Sequence, residues 1–172
     1  MTVIAITGTP STGKTSLASG LAEELNYKYV DVAKIIKQKN LSESYDEEMQ
    51  CDIVDTDKLI DALYEVVEDG ENYILDSHLS HYMPKEAVDL CIVTKCDLKI
   101  LKQRLEERGY SKFKVRENMD AEIFDICLVE AMEEQEHEIL VVDTTNGLDV
   151  KKTVEDVMVI LEKNKNKKKK RK

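Results

Sequence analysis

Apolar and polar positions follow two rhythms along this chain of 172 residues. Short apolar runs predict five strands: Thr2–Thr7, Lys28–Val32, Asn72–Asp76, Ala87–Thr94 and Glu138–Asp143. The fourth carries Val88, Leu90, Cys91, Ile92 and Val93, almost continuously apolar, as expected of a strand covered on both faces. Between the strands, apolar residues recur at helical spacing. Leu17, Leu21 and Leu25 mark a helix that runs to about Asn26, and Ala33–Lys39 reads as a short one. Leu59, Ile60, Leu63, Val66 and Val67 mark a third over Lys58–Asp69, closed by Gly70. Leu98, Leu101 and Leu105 follow an N-cap at Asp97, and Gly109 ends that helix. A long helix over Asn118–Glu136 is expected to turn Ile123, Ile126, Cys127, Val129 and Met132 inward. Asp149 caps a final helix over Val150–Leu161. Two stretches keep neither rhythm. Asn40–Asp57 is polar and acidic and reads as a mobile insertion over the sheet edge, whereas Tyr110–Glu117 is short and basic. Strands alternating with helices predict an α/β fold, with a five-stranded parallel sheet and helices on both faces.

Composition narrows the class. The chain is 42% hydrophobic and 35% charged, which predicts one soluble globular domain over residues 1–162. No apolar run reaches the roughly 18 residues of a membrane span, so no membrane association is expected. The N-terminus enters a strand at once, which predicts no signal peptide. Cys51, Cys91, Cys96 and Cys127 are scattered at poor zinc spacing and read as free thiols in a reducing cytoplasm. Net charge is −10, unevenly placed: the eight cations of Lys163–Lys172 leave residues 1–162 at −18. That tail is expected to be disordered and to favour nucleic acid, which the acidic body repels.

The chemistry starts at Gly8-Thr9-Pro10-Ser11-Thr12-Gly13-Lys14-Thr15, the spacing of a phosphate-binding loop set between a strand and a helix. Such a turn aims backbone N–H groups and the positive helix end at one phosphate. Lys14 is expected to reach the β- and γ-phosphates of a nucleotide, and the Thr15 hydroxyl to hold Mg²⁺. Gly13 lets the backbone approach the phosphates closely. Asp76 ends an apolar strand, where a magnesium-binding carboxylate belongs, and His78 lies two residues on. Arg104 and Arg108 share one helix face and lead into the basic Lys112, Lys114 and Arg116, cations suited to phosphoryl transfer or to a solvated helix end. Thr94-Lys95-Cys96-Asp97 has the Lys and Asp of a guanine-reading motif but Thr in place of its Asn, which argues against a GTP switch.

Taken in order, several stretches resemble the adenylate kinase isoenzyme six family. They are Thr7-Gly8-Thr9-Pro10 through Thr15, Tyr45-Asp46-Glu47-Glu48, Asp76-Ser77-His78, Arg104 through Lys112, Glu117-Asn118 and Glu122-Ile123-Phe124, together spanning roughly residues 3–131. The resemblance implies a nucleoside monophosphate kinase fold, with a monophosphate-binding arm at about residues 30–53 and a lid at about 107–117. It implies ATP on Gly8, Ser11, Gly13, Lys14, Thr15 and Ser16 with Arg108 over the phosphates, and Asp76 and His78 as the family's Asp-x-His pair. Catalytic roles then fall to Lys14, Asp76, His78, Arg104 and Arg108, and Mg²⁺ to Thr15 and Asp76. Family members convert ATP and AMP to two ADP and hydrolyse ATP. Their eukaryotic members are nuclear and bind a small-subunit ribosomal protein near the small rRNA during subunit maturation. Two positions depart from the family pattern: Ser11 stands where Gly is usual, and Lys37 where the arm usually carries Arg.

Overall fold

The structure, a computed structural model, describes residues 1–136 and 138–170, with side chains as far as Asn164. Its main sheet is parallel, as the alternation predicted. Strand β1 (Val3–Thr7) lies at the centre. It is flanked by β5 (Tyr73–Asp76) and β6 (Leu90–Lys95), with β2 (Lys28–Asp31) and β7 (Ile139–Asp143) at the edges. The period-two side-chain alternation of β1 splits the core. Val3 and Ala5 face a layer that includes Leu59, Leu63 and Val93. Ile4 and Ile6 face Leu17, Leu21, Val157 and Leu161. The first layer is covered by α2 (Val32–Gln38), α3 (Thr56–Val67) and α6 (Ile126–Glu134). The second is covered by α1 (Lys14–Leu25) and α7 (Val150–Lys170). Every strand therefore delivers its carboxyl end to one edge of the sheet, and the pairings Ile6↔Asp76 and Asp31↔Asp76 put the acid beside the phosphate loop.

Four expectations are corrected. Asn40–Asp57 is an ordered arm: β3 (Ser42–Asp46) pairs antiparallel with β4 (Cys51–Val54). Its turn is built on Asp46, whose carboxylate accepts from the N–H groups of Glu48 and Met49 (2.9 and 2.8 Å). The hairpin meets the core through Val54 at its end and is otherwise largely exposed, so no alternation announces it. The basic stretch after Gly109 is no loop either. Helix α4 (Leu98–Glu107) gives way to a turn, and the Ser111 hydroxyl caps α5 (Lys112–Ile123) by accepting from Lys114 N (3.1 Å). The long helix expected over Asn118–Glu136 is two helices, α5 and α6. Asp125 breaks them at φ 54°, a left-handed conformation that aspartate tolerates better than most residues, and its carboxylate pairs with Lys95 at 2.6 Å. The break turns Ile123, Ile126, Val129 and Met132 outward, where all four are exposed. Finally, α7 runs past Leu161, and the tail expected to be disordered from Lys163 continues it to Lys170. Lysine is a good helix former, and cations suit the negative helix end. Residues 171 and 172, and the tail side chains after Asn164, lie outside the described residues. Among the described residues no helix is long and apolar enough to cross a membrane.

Candidate active site

The loop between β1 and α1 is held from behind by threonines. Thr12 Oγ1 donates to Thr9 O at 2.7 Å and lies 2.6 Å from Thr94 Oγ1. Thr144 Oγ1 donates to Thr12 O at 2.7 Å, and Thr94 Oγ1 to Thr7 O at 3.2 Å. These hydroxyls pin the loop to the ends of β6 and β7, so its amides are fixed before any anion arrives. Ser11 sits at φ 67°, in the left-handed region where a Cβ is strained. Ser11→Gly should raise stability by roughly 0.5–1 kcal/mol, because the relief of that strain exceeds the added freedom of the unfolded chain. Chemical denaturation of the two proteins measures the difference.

Lys14 opens α1 at the floor of the cleft, half-buried, and its Nζ donates to Thr9 O at 2.9 Å. Loss of water around the ammonium pushes its pKa down to about 8, and the nearby Arg108 charge adds to the shift. Cys127, Asp76 and Glu122 act the other way. The sign for ligand binding follows. A phosphate needs the cation, and above pH 8 the empty protein has lost it. Nucleotide affinity should therefore fall roughly tenfold per pH unit above 8 and level off below it. Calorimetric titration of Mg²⁺-free ATP between pH 7 and 10 checks this.

Asp76 is buried, 7% exposed, and one carboxylate oxygen accepts from Tyr29 OH at 2.8 Å. The Thr15 side chain lies against the same phenol. One carboxylate and one hydroxyl form an all-oxygen donor set, which fits Mg²⁺ rather than a softer metal. Among the described residues no cluster of three or more His, Cys, Asp or Glu gathers to hold a metal, so a cation here would complete its shell with phosphate oxygens and water. His78 lines the cleft two residues further on and is exposed to it. Its backbone carbonyl accepts from Thr7 Oγ1 at 3.1 Å. Crowding by the surrounding protein, then the Lys14 charge, push its imidazole pKa well down, so the ring is neutral at physiological pH.

The cleft encloses about 1180 Å³ and brings together Ser11, Gly13, Lys14, Thr15 and Ser16 with Asp76, His78, Arg104 and Arg108. Gly8 is not on its wall; it packs behind the loop against Thr94. The two arginines divide. Arg104 is tied down, its guanidinium donating to Thr144 Oγ1 (3.2 Å) and Thr144 O (3.0 Å). Arg108 is exposed at the cleft mouth, 5.2 Å from the centre of the Tyr110 ring. At its far end the cleft runs under the hairpin arm, where Ile36, Lys37, Met49 and Val54 line it.

Three groups were not singled out as site residues from the sequence. The threonines read as ordinary strand and loop positions. Tyr29 reads as a strand residue of β2. Glu122 is 5% exposed on a helix without an apolar stripe, and accepts from Thr9 Oγ1 at 2.6 Å and from Cys96 N at 3.0 Å. A carboxylate on the inward face of an expected core helix was the signal available for it. Lys95 pairs with Glu122 (3.0 Å) and Asp125, and Asp97 caps α4. The segment Thr94-Lys95-Cys96-Asp97 is thus bound up in structural contacts.

A family model described as an AAA domain matches residues 4–125. The chain is 41% identical over 138 residues to the adenylate kinase isoenzyme 6 homolog of Dictyostelium discoideum, covering 80% of this chain and 78% of that one. It is 36% identical over 138 residues to the Caenorhabditis elegans adenylate kinase isoenzyme 6 homolog, covering 80% and 76%. Among solved structures it is similar in fold to shikimate kinase from Acinetobacter baumannii, with a TM-score of 0.66 at 14% identity over 96% of this chain and 95% of that one. On these likenesses, the chain belongs to the adenylate kinase isoenzyme 6 family of P-loop kinases.

Proposed function

We propose that this protein transfers the γ-phosphoryl group of ATP to AMP, giving two ADP, and slowly hydrolyses ATP when the acceptor is absent. The observation that carries the reading is the two-ended cleft. One end is a phosphate loop with Lys14, Thr15 and Asp76; the other is a pocket of Ile36, Met49, Val54 and Lys37 suited to an apolar base and its phosphate. The name of the curated relatives supports AMP as acceptor.

Phosphoryl transfer asks little covalent chemistry of a protein; it asks for in-line placement and charge neutralisation. Gly13, Ser16 and the loop amides cradle the donor phosphates. Lys14 neutralises charge developing on the transferred group, and Arg108 covers it from the mouth. Arg104 holds the Thr144 turn, and through it the loop. Asp76 and Thr15 would hold Mg²⁺, which when bound draws charge from the β- and γ-oxygens. Neutral His78 can position a water or an acceptor oxygen. The test is ADP formation from Mg·ATP with and without AMP. The reading expects a strong AMP-dependent increase, and a rate indifferent to AMP would refute it.

A second role is supported by charge. Residues 1–162 carry −18 and the following ten residues eight cations. The acidic body suits a basic small-subunit ribosomal protein and the tail suits rRNA phosphates, so we propose an additional part for ATP turnover in small ribosomal subunit assembly. Capture of such a protein at low salt with ATP is the expected result, and no capture under those conditions would count against it. The four free cysteines suit a reducing compartment such as the cytoplasm.

A further inference from the structure

Helix α5 buries charge where a surface helix ordinarily buries hydrocarbon. Lys114, Asn118 and Glu122 lie four residues apart, on one face, at 7%, 6% and 5% exposure. Burying a cation and an anion is costly unless each is fully partnered, and here the partners lie on different parts of the cleft. Lys114 Nζ donates across it to the carbonyl of Gln50, at the turn of the hairpin arm (2.9 Å), and stands 4.0 Å from the centre of the Tyr110 ring. Asn118 Nδ2 donates to Lys114 O within the helix (2.7 Å). Glu122 takes the Thr9 hydroxyl of the phosphate loop, and the Thr9 carbonyl takes Lys14. Contacts thus run from Gln50 on the arm to Lys114, and from Glu122, two turns along the helix, through Thr9 to the lysine that meets the donor phosphates.

We propose that Lys114 and Glu122 are positioning residues that couple the arm to the phosphate loop through α5, so that filling either end of the cleft raises affinity at the other. A helix of this length transmits a displacement at one end to the other, and both sites bias its position. The coupling is reciprocal by thermodynamic necessity. The inference rests on the reading that the arm end takes AMP.

The test is calorimetric titration of AMP with and without a saturating non-hydrolysable ATP analogue and Mg²⁺, for wild type, Lys114→Met and Thr9→Val. At nearly constant volume, Lys114→Met removes the bond to Gln50 together with the charge beside the Tyr110 ring, and Thr9→Val removes the hydroxyl that Glu122 accepts from; thermal denaturation confirms that each is folded. Wild type should bind AMP about tenfold more tightly with the analogue present, within the usual range of coupling between sites. In either variant that factor should fall close to one, and the double variant should lose no more than either single. AMP binding with the wild-type factor kept in both variants would overturn the coupling alone. No AMP binding to wild type would instead overturn the acceptor assignment, and the coupling with it.

Discussion

Lys14→Ala lowers the rate of ADP formation by about 10²–10³-fold, the usual cost of removing one oriented group that stabilises the transition state. The fold survives the change. Lys14 makes one hydrogen bond, to Thr9 O, and its depressed pKa shows that its charge is held at a cost in the empty cleft. An alanine removes that cost, so the denaturation midpoint stays level or rises. The combination of lost turnover with kept stability marks a group that acts on substrate. Rates measured at saturating ATP and AMP, alongside a thermal melt, check both halves. A fall in the melting midpoint that accounts for the lost rate would place Lys14 among the structural residues instead.

Gly8→Ala disables the same site by another route. Gly8 stands at φ +139°, and a Cβ there would come within 2.5 Å of Thr94 Oγ1 and 2.6 Å of Thr94 O. The second atom is backbone of β6 and has nowhere to go. Strain and overpacking together should cost about 3 kcal/mol, a drop of roughly 6–12 °C in melting temperature for a chain of this size. Whatever folds will have the loop displaced from the Thr12 and Thr94 hydroxyls, and nucleotide binding should be lost with it. Gly20→Ala is the contrast. Its Cβ would meet Val150 Cγ2 at 2.9 Å, a side-chain tip that can turn aside, and alanine favours the helix. Melting both variants side by side separates a glycine the loop requires from one that helix packing merely accommodates.

The parallel sheet and its covering helices were legible because each buried strand writes an apolar run and each covering helix an apolar stripe. The phosphate loop was legible because its chemistry fixes residue types at fixed spacing, and Asp76 because it ends such a strand. The elements around the cleft followed other rules. The arm is a largely exposed hairpin that meets the core through Val54 at its end, so Ser42–Val54 shows no alternation to read. The break at Asp125 depends on one left-handed residue and an ion pair to Lys95, both invisible in the periodicity of Ile123, Ile126 and Val129. The buried face of α5 is polar, so the apolar rule did not mark Lys114, Asn118 or Glu122. Glu122 and the threonines act by hydrogen bonds between segments up to 132 residues apart, which local pattern does not register.

In the proposed reaction one cleft holds a donor triphosphate at the loop and a monophosphate under the arm. The most direct measurement follows the label of γ-³²P-ATP incubated with Mg²⁺ and AMP. Label should appear in ADP, at a rate that rises with AMP and falls by about 10²–10³-fold in Lys14→Ala. Label released only as inorganic phosphate, at a rate unmoved by AMP, would contradict it.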